Sequence, residues 1–558
     1  MKIVLAQQNY HIGNFELNTS KIIDAIRQAK AQKADLVVFS ELSVCGYPPL
    51  DLLEFADFIN KSYEAVERIA AYADDIGVLL GAPAKNKVSE GKDLYNAAYF
   101  LHEKQVKAQV YKTLLPTYDV FDEYRYFEPA SDWKVVEFKG MKLAVTICED
   151  IWNLVDNPMY RYNPMDQLIL QRPDLMINLS ASPFDYTHAN DRREICRNNV
   201  IKYGLPLIYC NAVGGQTELV FDGGSLVFDK TGKLCRELPQ FEESIFSVEV
   251  NGSDIISSAC DPGPSAQVLV EPERFEPELN IAMVHRALLT GIRDYFRKMG
   301  FEKAIVGSSG GIDSAVTISL ACEALGKENV RAVMMPSPYS TSHSVDDAVA
   351  LSRNLGNPYD VIRIDEIYQS FLETLEPVFG DLPFSVAEEN IQSRARGNLL
   401  MAIANKFGYV LLNTSNKSEL ATGYGTLYGD MAGGLAVLGD CYKQQVYALA
   451  RYINREKEII PRQIIDKAPS AELRPNQKDS DSLPEYHVLD QVLFQYIEKR
   501  SGPEAIKQLG FDGPVVDRVL KLVNTNEYKR NQFCPIIRVS PKAFGVGRRI
   551  PIVAKYLN

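Results

Sequence analysis

EKAIVGSSGGIDSAVTISLACEAL, residues 302–325, reads as a short buried strand, a glycine-bearing loop and a strong helix in one uninterrupted run. Gly310 and Gly311 let the backbone approach a phosphate closely. The first amides of the helix point at that phosphate with the positive end of the dipole behind them, and Ser309 and Ser314 add hydroxyl hydrogen bonds. No lysine follows the glycines, so the loop is not GxxxxGK[ST] and a Walker-type nucleotidase is disfavoured. A Gly-Gly turn ahead of a helix is commonplace by itself. SGGIDS between a strand and a helix is far more restrictive.

Working outward, RAVMMP, YDVIRI and YVLLNTS continue a series of strands, and residues 279–299 form an amphipathic stretch ahead of them. Upstream, KIVLAQ, ADLVVFSE, GVLLGAP, AAYFL, AQVYK, KLAVTICED, LMINLSASP, PLIYCNAVG and SLVFD alternate with helical stretches. In 18–32, for example, Ile22, Ile23, Ile26 and Ala29 recur on one face. Strands alternating with helices imply two layered α/β domains. The stretch rich in Gly, Pro and Ser before the second series is a connector, giving limits of 1–248, 249–275 and 276–558. SAELRPNQKDSDSLPEY, 470–486, fits a polar surface loop able to order over a ligand. There is no internal repeat or low-complexity tract.

The length of 558 residues, with 46% hydrophobic and 24% charged residues, suits a multidomain enzyme and excludes disordered and collagen-like classes. The formal charge of -12, with no basic run, argues against nucleic acid as principal partner. The nine cysteines (Cys45, Cys148, Cys196, Cys210, Cys235, Cys260, Cys322, Cys441, Cys534) are scattered without CxxC spacing, which points to free thiols in a reducing compartment. MKIVLAQQNY lacks a signal-peptide pattern, and no apolar stretch reaches membrane-spanning length, so a soluble cytoplasmic protein with no membrane partner is expected.

Three strand ends in the first half each carry a reactive type: Glu41 ends DLVVFSE, Lys112 follows AQVY and Cys148 ends KLAVTIC. A thiol needs a base, which Glu41 provides, and Lys112 can stabilise the oxyanion formed on attack at a carbonyl, so amide hydrolysis through a thioester is implied. A cysteine at a strand end is also ordinary packing, and spacing alone leaves both alternatives standing. FSELSVCGYPPLDLL, YKTLLPTYDVFDEYRYFEP and LAVTICEDIW together resemble the nitrilase superfamily of Glu-Lys-Cys amidases over about residues 1–248. The resemblance implies an αββα sandwich with Glu41 as general base, Lys112 as transition-state stabiliser, Cys148 as nucleophile and Glu123 supporting Lys112. It further implies that Tyr118, Glu149 and Ser182 hold glutamine. His188 stands where relatives often have Lys, so contacts carried over there, Arg192 included, are less secure; His188 itself reads as a turn or surface histidine and Cys45 as packing.

SGGIDS resembles the pyrophosphate loop of the N-type ATP pyrophosphatases, which split ATP into AMP and pyrophosphate while adenylating a substrate oxygen; Asp313 would then bind Mg²⁺. NIQSRARGN, NTSNKSELATGYGTLYGD and CYKQQVYALAR resemble the ammonia-activating NAD⁺ synthetase domain. That resemblance implies a doubly wound parallel sheet in which Ser309, Gly310, Gly311, Asp313, Ser314, Arg396, Thr414, Lys443 and Ser470 bind ATP, Asp313 and Glu419 hold magnesium, and Asn390 and Asp430 contact deamido-NAD⁺. The chain as a whole resembles the glutamine-dependent NAD⁺ synthetases, implying glutamine, ATP and deamido-NAD⁺ as ligands, an enclosed ammonia passage, coupling between the two activities, and a homo-oligomer through paired synthetase domains. Another fused amidase-ligase, a transfer-RNA-modifying ligase and a catalytically idle regulator are weaker alternatives. Arg548, Arg549 and Asp481 stay unassigned.

Overall fold

The computed structural model describes residues 1–154, 158–256, 272–470, 472–475, 477 and 479–557. The chain divides into two units, Met1–Leu269 and Val270–Asn558. Most of the connector expected over 249–275, namely 257–271, lies outside the described residues.

The first unit runs β1 (Lys2–Gln7), α1 (Phe15–Ala31), β2 (Leu36–Val38), α2 (Ala56–Ala70), β3 (Gly77–Lys85), β4 (Leu94–His102), β5 (Gln105–Tyr111), β6 (Val136–Phe138), β7 (Met141–Ile147), α3 (Pro164–Leu168), β8 (Leu175–Ser180), α4 (His188–Tyr203), β9 (Leu207–Asn211), β10 (Val213–Gln216), β11 (Leu219–Asp222), β12 (Leu226–Phe228), β13 (Leu234–Glu237), β14 (Ser244–Asn251) and β15 (Asp254–Ile255). Its two large sheets have strand orders β15-β14-β1-β2-β3-β4-β5 and β13-β12-β9-β8-β7-β6.

Period-two alternation explains why these strands read as continuous apolar runs. In β1, Ile3 and Leu5 join a core shared with Leu143, Val145, Ile147, Ile177 and Leu179 of the facing sheet. Val4 and Ala6 pack instead against Ile22, Ile26, Val66 and Ile69 of α1 and α2. Ala144 and Met176 point away from the facing sheet to Ile195, Cys196 and Val200 of α4. Both sheets are therefore covered on both faces, and the αββα sandwich expected from the sequence is the one observed.

The second unit runs α5 (Ile281–Met299), β16 (Lys303–Gly307), α6 (Ile312–Leu325), β17 (Val330–Met334), α7 (Ser342–Leu355), β18 (Tyr359–Val361), α8 (Asp365–Phe379), α9 (Val386–Phe407), β19 (Tyr409–Asn413), α10 (Lys417–Thr422), β20 (Leu435–Ala436), α11 (Lys443–Ile453), α12 (Arg462–Asp466), α13 (Tyr486–Ile497), α14 (Pro503–Gln508), α15 (Gly513–Thr525) and α16 (Glu527–Arg530). The sheet order is β18-β17-β16-β19-β20, every pairing parallel. Strand order reverses between β16 and β19, and ligands of doubly wound sheets bind at the carboxyl ends of such a pair. SSGGID follows β16 and NTSN follows β19, so the two motifs meet at that crevice. Among the described residues no helix is long and apolar enough to cross a membrane.

Two strand ends differ from expectation. β2 stops at Val38, three residues before Glu41, and β7 stops at Ile147, so Cys148 opens a tight turn. Beyond β2 the chain bends onto β3, where a Cβ on Gly81 would lie 2.1 Å from Leu42 N and 2.7 Å from the Glu41 carbonyl carbon. Only glycine allows that approach, which sets Glu41 against the sheet.

Candidate functional site

In the first unit Lys112 is completely buried, and its Nζ donates to Glu41 Oε1 (2.7 Å) and Glu123 Oε1 (2.8 Å). Asn96 Nδ2 donates to the same Glu41 oxygen (2.7 Å) and to Glu123 Oε2 (3.3 Å), while Tyr47 OH donates to Glu123 Oε1 (2.8 Å). The amide of Ala181 donates to Glu41 Oε2 (3.1 Å). Glu41 therefore keeps a fixed orientation. Burial opposes the Lys112 charge, but Glu123 and Glu41 outweigh it and hold the ammonium well above the ordinary lysine range. Burial also pushes Glu123 up, with Glu41 acting in the same direction and Lys112 against.

Cys148 has φ of 40°, a left-handed conformation costing about 1–2 kcal/mol in a non-glycine residue. Asp150 holds this turn: its carboxylate accepts the amides of Ile147 (3.0 Å), Thr113 (3.0 Å) and Leu114 (2.9 Å), tying the cysteine turn to the segment carrying Lys112. Burial, then Glu41, pushes the Cys148 thiol well above its ordinary range, against the pull of Lys112. The resting sulfur is a thiol, and attack requires a base at the moment of reaction.

Next to the cysteine, Glu149 accepts from Tyr118 OH on both oxygens (3.0 and 3.1 Å) and from Tyr160 OH on Oε1 (3.2 Å). Burial raises its carboxyl to about 7, although Lys112 and the two phenols favour the charged form. Ser182 is buried; its amide donates to Asn211 Oδ1 (2.9 Å) and its Oγ lies 2.7 Å from His188 Nε2. The His188 ring stacks on Trp152 at 4.7 Å and 5°. His188 is therefore the first residue of α4 and a neighbour of Ser182, where sequence alone had suggested an ordinary turn histidine.

The second unit contains a cavity of about 690 Å³ at the β16/β19 crevice. Ser309, Gly311, Asp313, Ser314, Arg396, Thr414, Lys443, Ser470, Asn390, Asp430 and Glu419 all line it, but Gly310 does not. Gly310 has φ of 75°, and a Cβ there would lie 2.2 Å from Ser344 O at the start of α7. Its glycine identity serves that close approach. Lys443 Nζ donates to Asp313 Oδ2 (2.5 Å) and Glu419 Oε1 (3.4 Å), and Asn416 Nδ2 donates to Asp313 Oδ1 (2.9 Å). Burial raises Glu419 to about 8, with Asp313 adding to the effect and Lys443 opposing it. Burial draws Arg396 down to about 10, and its Nε donates to Met335 O (3.0 Å). Thr426 joins the two residues expected at deamido-NAD⁺, donating its hydroxyl to Asn390 Oδ1 (2.8 Å) and its amide to Asp430 Oδ1 (2.8 Å). Ser470 Oγ donates to Gln477 O (2.6 Å), within its own loop.

Residues 2–259 match the carbon-nitrogen hydrolase family model and 284–533 the NAD synthase model. The glutamine-dependent NAD(+) synthetase of a Synechocystis species is 44% identical over 99% of both chains, and that of Thermotoga maritima is 42% identical over 100% of this chain and 99% of its own. The chain belongs to the glutamine-dependent NAD⁺ synthetase family. A solved synthetase of this family from Acinetobacter baumannii, in complex with adenosine diphosphate, is 39% identical, with a TM-score of 0.76 over 99% of this chain and 98% of that one. The Cytophaga hutchinsonii synthetase, at 20% identity and a TM-score of 0.81 over 100% of this chain and 98% of its own, shows the shared fold.

Several residues of this synthetase chain escaped sequence reasoning. Asn96 is one polar residue in an apolar strand, and Asp150 adjoins the more conspicuous Glu149. Asn416 could have been found: with Glu419 it forms the N-x-x-E capping box of α10, Glu419 N donating to Asn416 Oδ1 (3.0 Å). In the 470–486 loop, buried Asp479 lines the cavity and accepts Tyr424 OH (3.1 Å) and Tyr486 OH (2.9 Å), while Asp481 meets Arg474 at 3.5 Å. The Arg192 guanidinium is buried and donates to Asp222 (2.7 and 3.0 Å) and Gly223 O (3.0 Å). Arg548 is committed to Glu527 (2.7 Å). Cys45 is fully buried, its thiol pushed up to about 12, consistent with packing. Eight cysteines are free thiols among the described residues, and Cys260 lies outside them.

Proposed function

We propose that the chain makes NAD⁺ from deamido-NAD⁺, ATP and glutamine, releasing AMP, pyrophosphate and glutamate, with the two units dividing the half-reactions; the first domain runs past the expected limit of 248, since β14 and β15 carry its sheet to Ile255. The observation that carries the first half is the buried Glu41–Lys112–Glu123 cluster beside the Cys148 thiol. Glu41 takes the thiol proton as sulfur attacks the glutamine side-chain carbonyl, and Lys112 Nζ stabilises the oxyanion. The proton passes to the departing nitrogen, the C–N bond breaks and ammonia leaves. Water activated by Glu41 then releases glutamate from the thioester. Tyr118 and Glu149 hold the α-ammonium of glutamine, and Ser182 holds the opposite end of the amino-acid group.

In the second half, the SGGIDS loop and the start of α6 receive the phosphates of ATP, Thr414 and Arg396 contact the nucleotide, Ser470 a phosphate, and Asn390 and Asp430 the deamido-NAD⁺. Lys443 neutralises charge on the departing pyrophosphate. A free carboxylate is a poor electrophile, so adenylation must precede attack by ammonia. Asp313 and Glu419 are hard oxygen donors facing the same ammonium, with Asp479 adding negative charge nearby, an excess of carboxylate that suits Mg²⁺. Bound there, the ion would offset phosphate charge. The reading includes a cytoplasmic setting and a homo-oligomer through paired synthetase domains, the latter testable by sedimentation. The assay for the whole reading supplies ATP, Mg²⁺, deamido-NAD⁺ and glutamine and quantifies products: equal amounts of NAD⁺, AMP and pyrophosphate support it, and pyrophosphate formation without NAD⁺ would refute it.

A further inference from the structure

Tyr160 lies outside every motif that points to glutamine, yet its phenol reaches Glu149 Oε1 at 3.2 Å. One buried side chain holds its backbone. Asn153 Nδ2 donates to the carbonyls of Tyr160 (2.8 Å) and Tyr162 (3.1 Å), and Asn153 Oδ1 accepts the amide of Tyr160 (3.0 Å). The two neighbouring phenols thus differ in kind: Tyr162 is 66% exposed, whereas Tyr160 is partly buried and aimed at the carboxylate. We propose that Tyr160 is a positioning residue which, with Tyr118, fixes the Glu149 carboxylate so that it selects the α-ammonium of glutamine over amides that lack one.

The chemistry follows from the donor inventory. Each phenol has a single proton, while a carboxylate offers about four acceptor sites. Tyr118 alone, placed almost evenly between the two oxygens, holds Glu149 without choosing its rotation. Tyr160 on Oε1 breaks that symmetry and leaves lone pairs on Oε2 for a cationic donor. Orienting an acceptor beforehand lowers the cost of binding and strengthens charge-assisted hydrogen bonds. The effect belongs to recognition, because the hydrogen bonds of Tyr160 go to Glu149 and Asn153 and not to Cys148, Glu41 or Lys112.

This inference rests on Glu149 as the group that takes the ammonium, and the test separates the two. The kcat/KM for glutamine is compared with that for glutaramate, which is glutamine without its α-amino group, in the full-length protein and in Tyr160→Phe, Glu149→Gln and Tyr162→Phe. Both substrates are assayed on one preparation, so any loss of folded protein cancels in the ratio. Tyr160→Phe is expected to lower the glutamine preference about tenfold through KM for glutamine, with kcat at saturation unchanged. Glu149→Gln should lower it further, and Tyr162→Phe should leave it alone. An unchanged ratio in Tyr160→Phe beside a collapsed one in Glu149→Gln would assign Tyr160 to packing. Unchanged ratios in both would overturn the role of Glu149 itself.

Discussion

Glutamine affinity should rise with pH across neutrality, and the cause is Glu149. Burial raises this carboxyl to about 7; Lys112, Tyr118 and Tyr160 favour its ionised form, while Glu123 opposes it. If only the carboxylate binds the ammonium, the competent share of empty sites is about one-tenth at pH 6, one-half at pH 7 and nine-tenths at pH 8. Apparent affinity scales with that share, so the dissociation constant should fall about tenfold from pH 6 to pH 8. Calorimetric titration of glutamine into the Cys148→Ala protein measures it without turnover. Because the bound ammonium favours the carboxylate, binding near pH 6 should also release protons, visible as a dependence of the heat on buffer ionisation enthalpy. Glu149→Gln should bind weakly and without pH dependence. A constant affinity over this range, or the same slope in Glu149→Gln, would refute the reasoning. The shift has a consequence for stability too. The unfolded chain ionises this carboxyl near 4.5 and the folded chain at about 7, so the folded state holds the extra proton between them and stability falls as pH rises through that window.

Asp150→Ala removes the acceptor of three buried amides; with about 1–3 kcal/mol for each buried group left unpaired, the first unit should lose at least about 3 kcal/mol and its glutaminase activity, which thermal denaturation and glutamate release would register. Gly310→Ala meets both a left-handed backbone and the Ser344 carbonyl at 2.2 Å, so ammonium-driven synthesis should fall steeply while glutamine hydrolysis by the first unit survives.

Much of this was legible in the sequence where strands end in reactive residues. Glu41 and Cys148 each follow an apolar run that reads as a buried strand, whereas Lys112 follows the mixed, exposed to half-buried strand QVKAQVY and stood out by its motif; the sandwich was an expectation carried by the resemblance of the three motifs. The SGGIDS loop was legible for a similar reason, since glycines and serines between a strand and a helix are the residue types an anion cradle needs. Less visible were residues that act by holding others. Asn96 bonds both Glu41 and Glu123 from β4, but nothing local distinguishes a strand asparagine with two carboxylate partners from a solvated one. Asp150 works through three backbone amides, two of them 36 and 37 residues away, and such long-range pairing leaves no period to read. Tyr160 owes its place to Asn153, seven residues earlier, in a polar stretch that resembles any surface loop. Asp479 and Asp481 are alike in sequence; only the packing of Tyr424 and Tyr486 turns the first toward the cavity.

The central claim is that one unit frees nitrogen with a cysteine and the other captures it on an adenylated acid. The most direct test supplies the Cys148→Ala protein with ATP, Mg²⁺ and deamido-NAD⁺, and either glutamine or an ammonium salt. NAD⁺ should form with ammonium at close to the unsubstituted protein's ammonium-dependent rate and not with glutamine. NAD⁺ formation from glutamine, or its loss with ammonium in a folded protein, would contradict the claim.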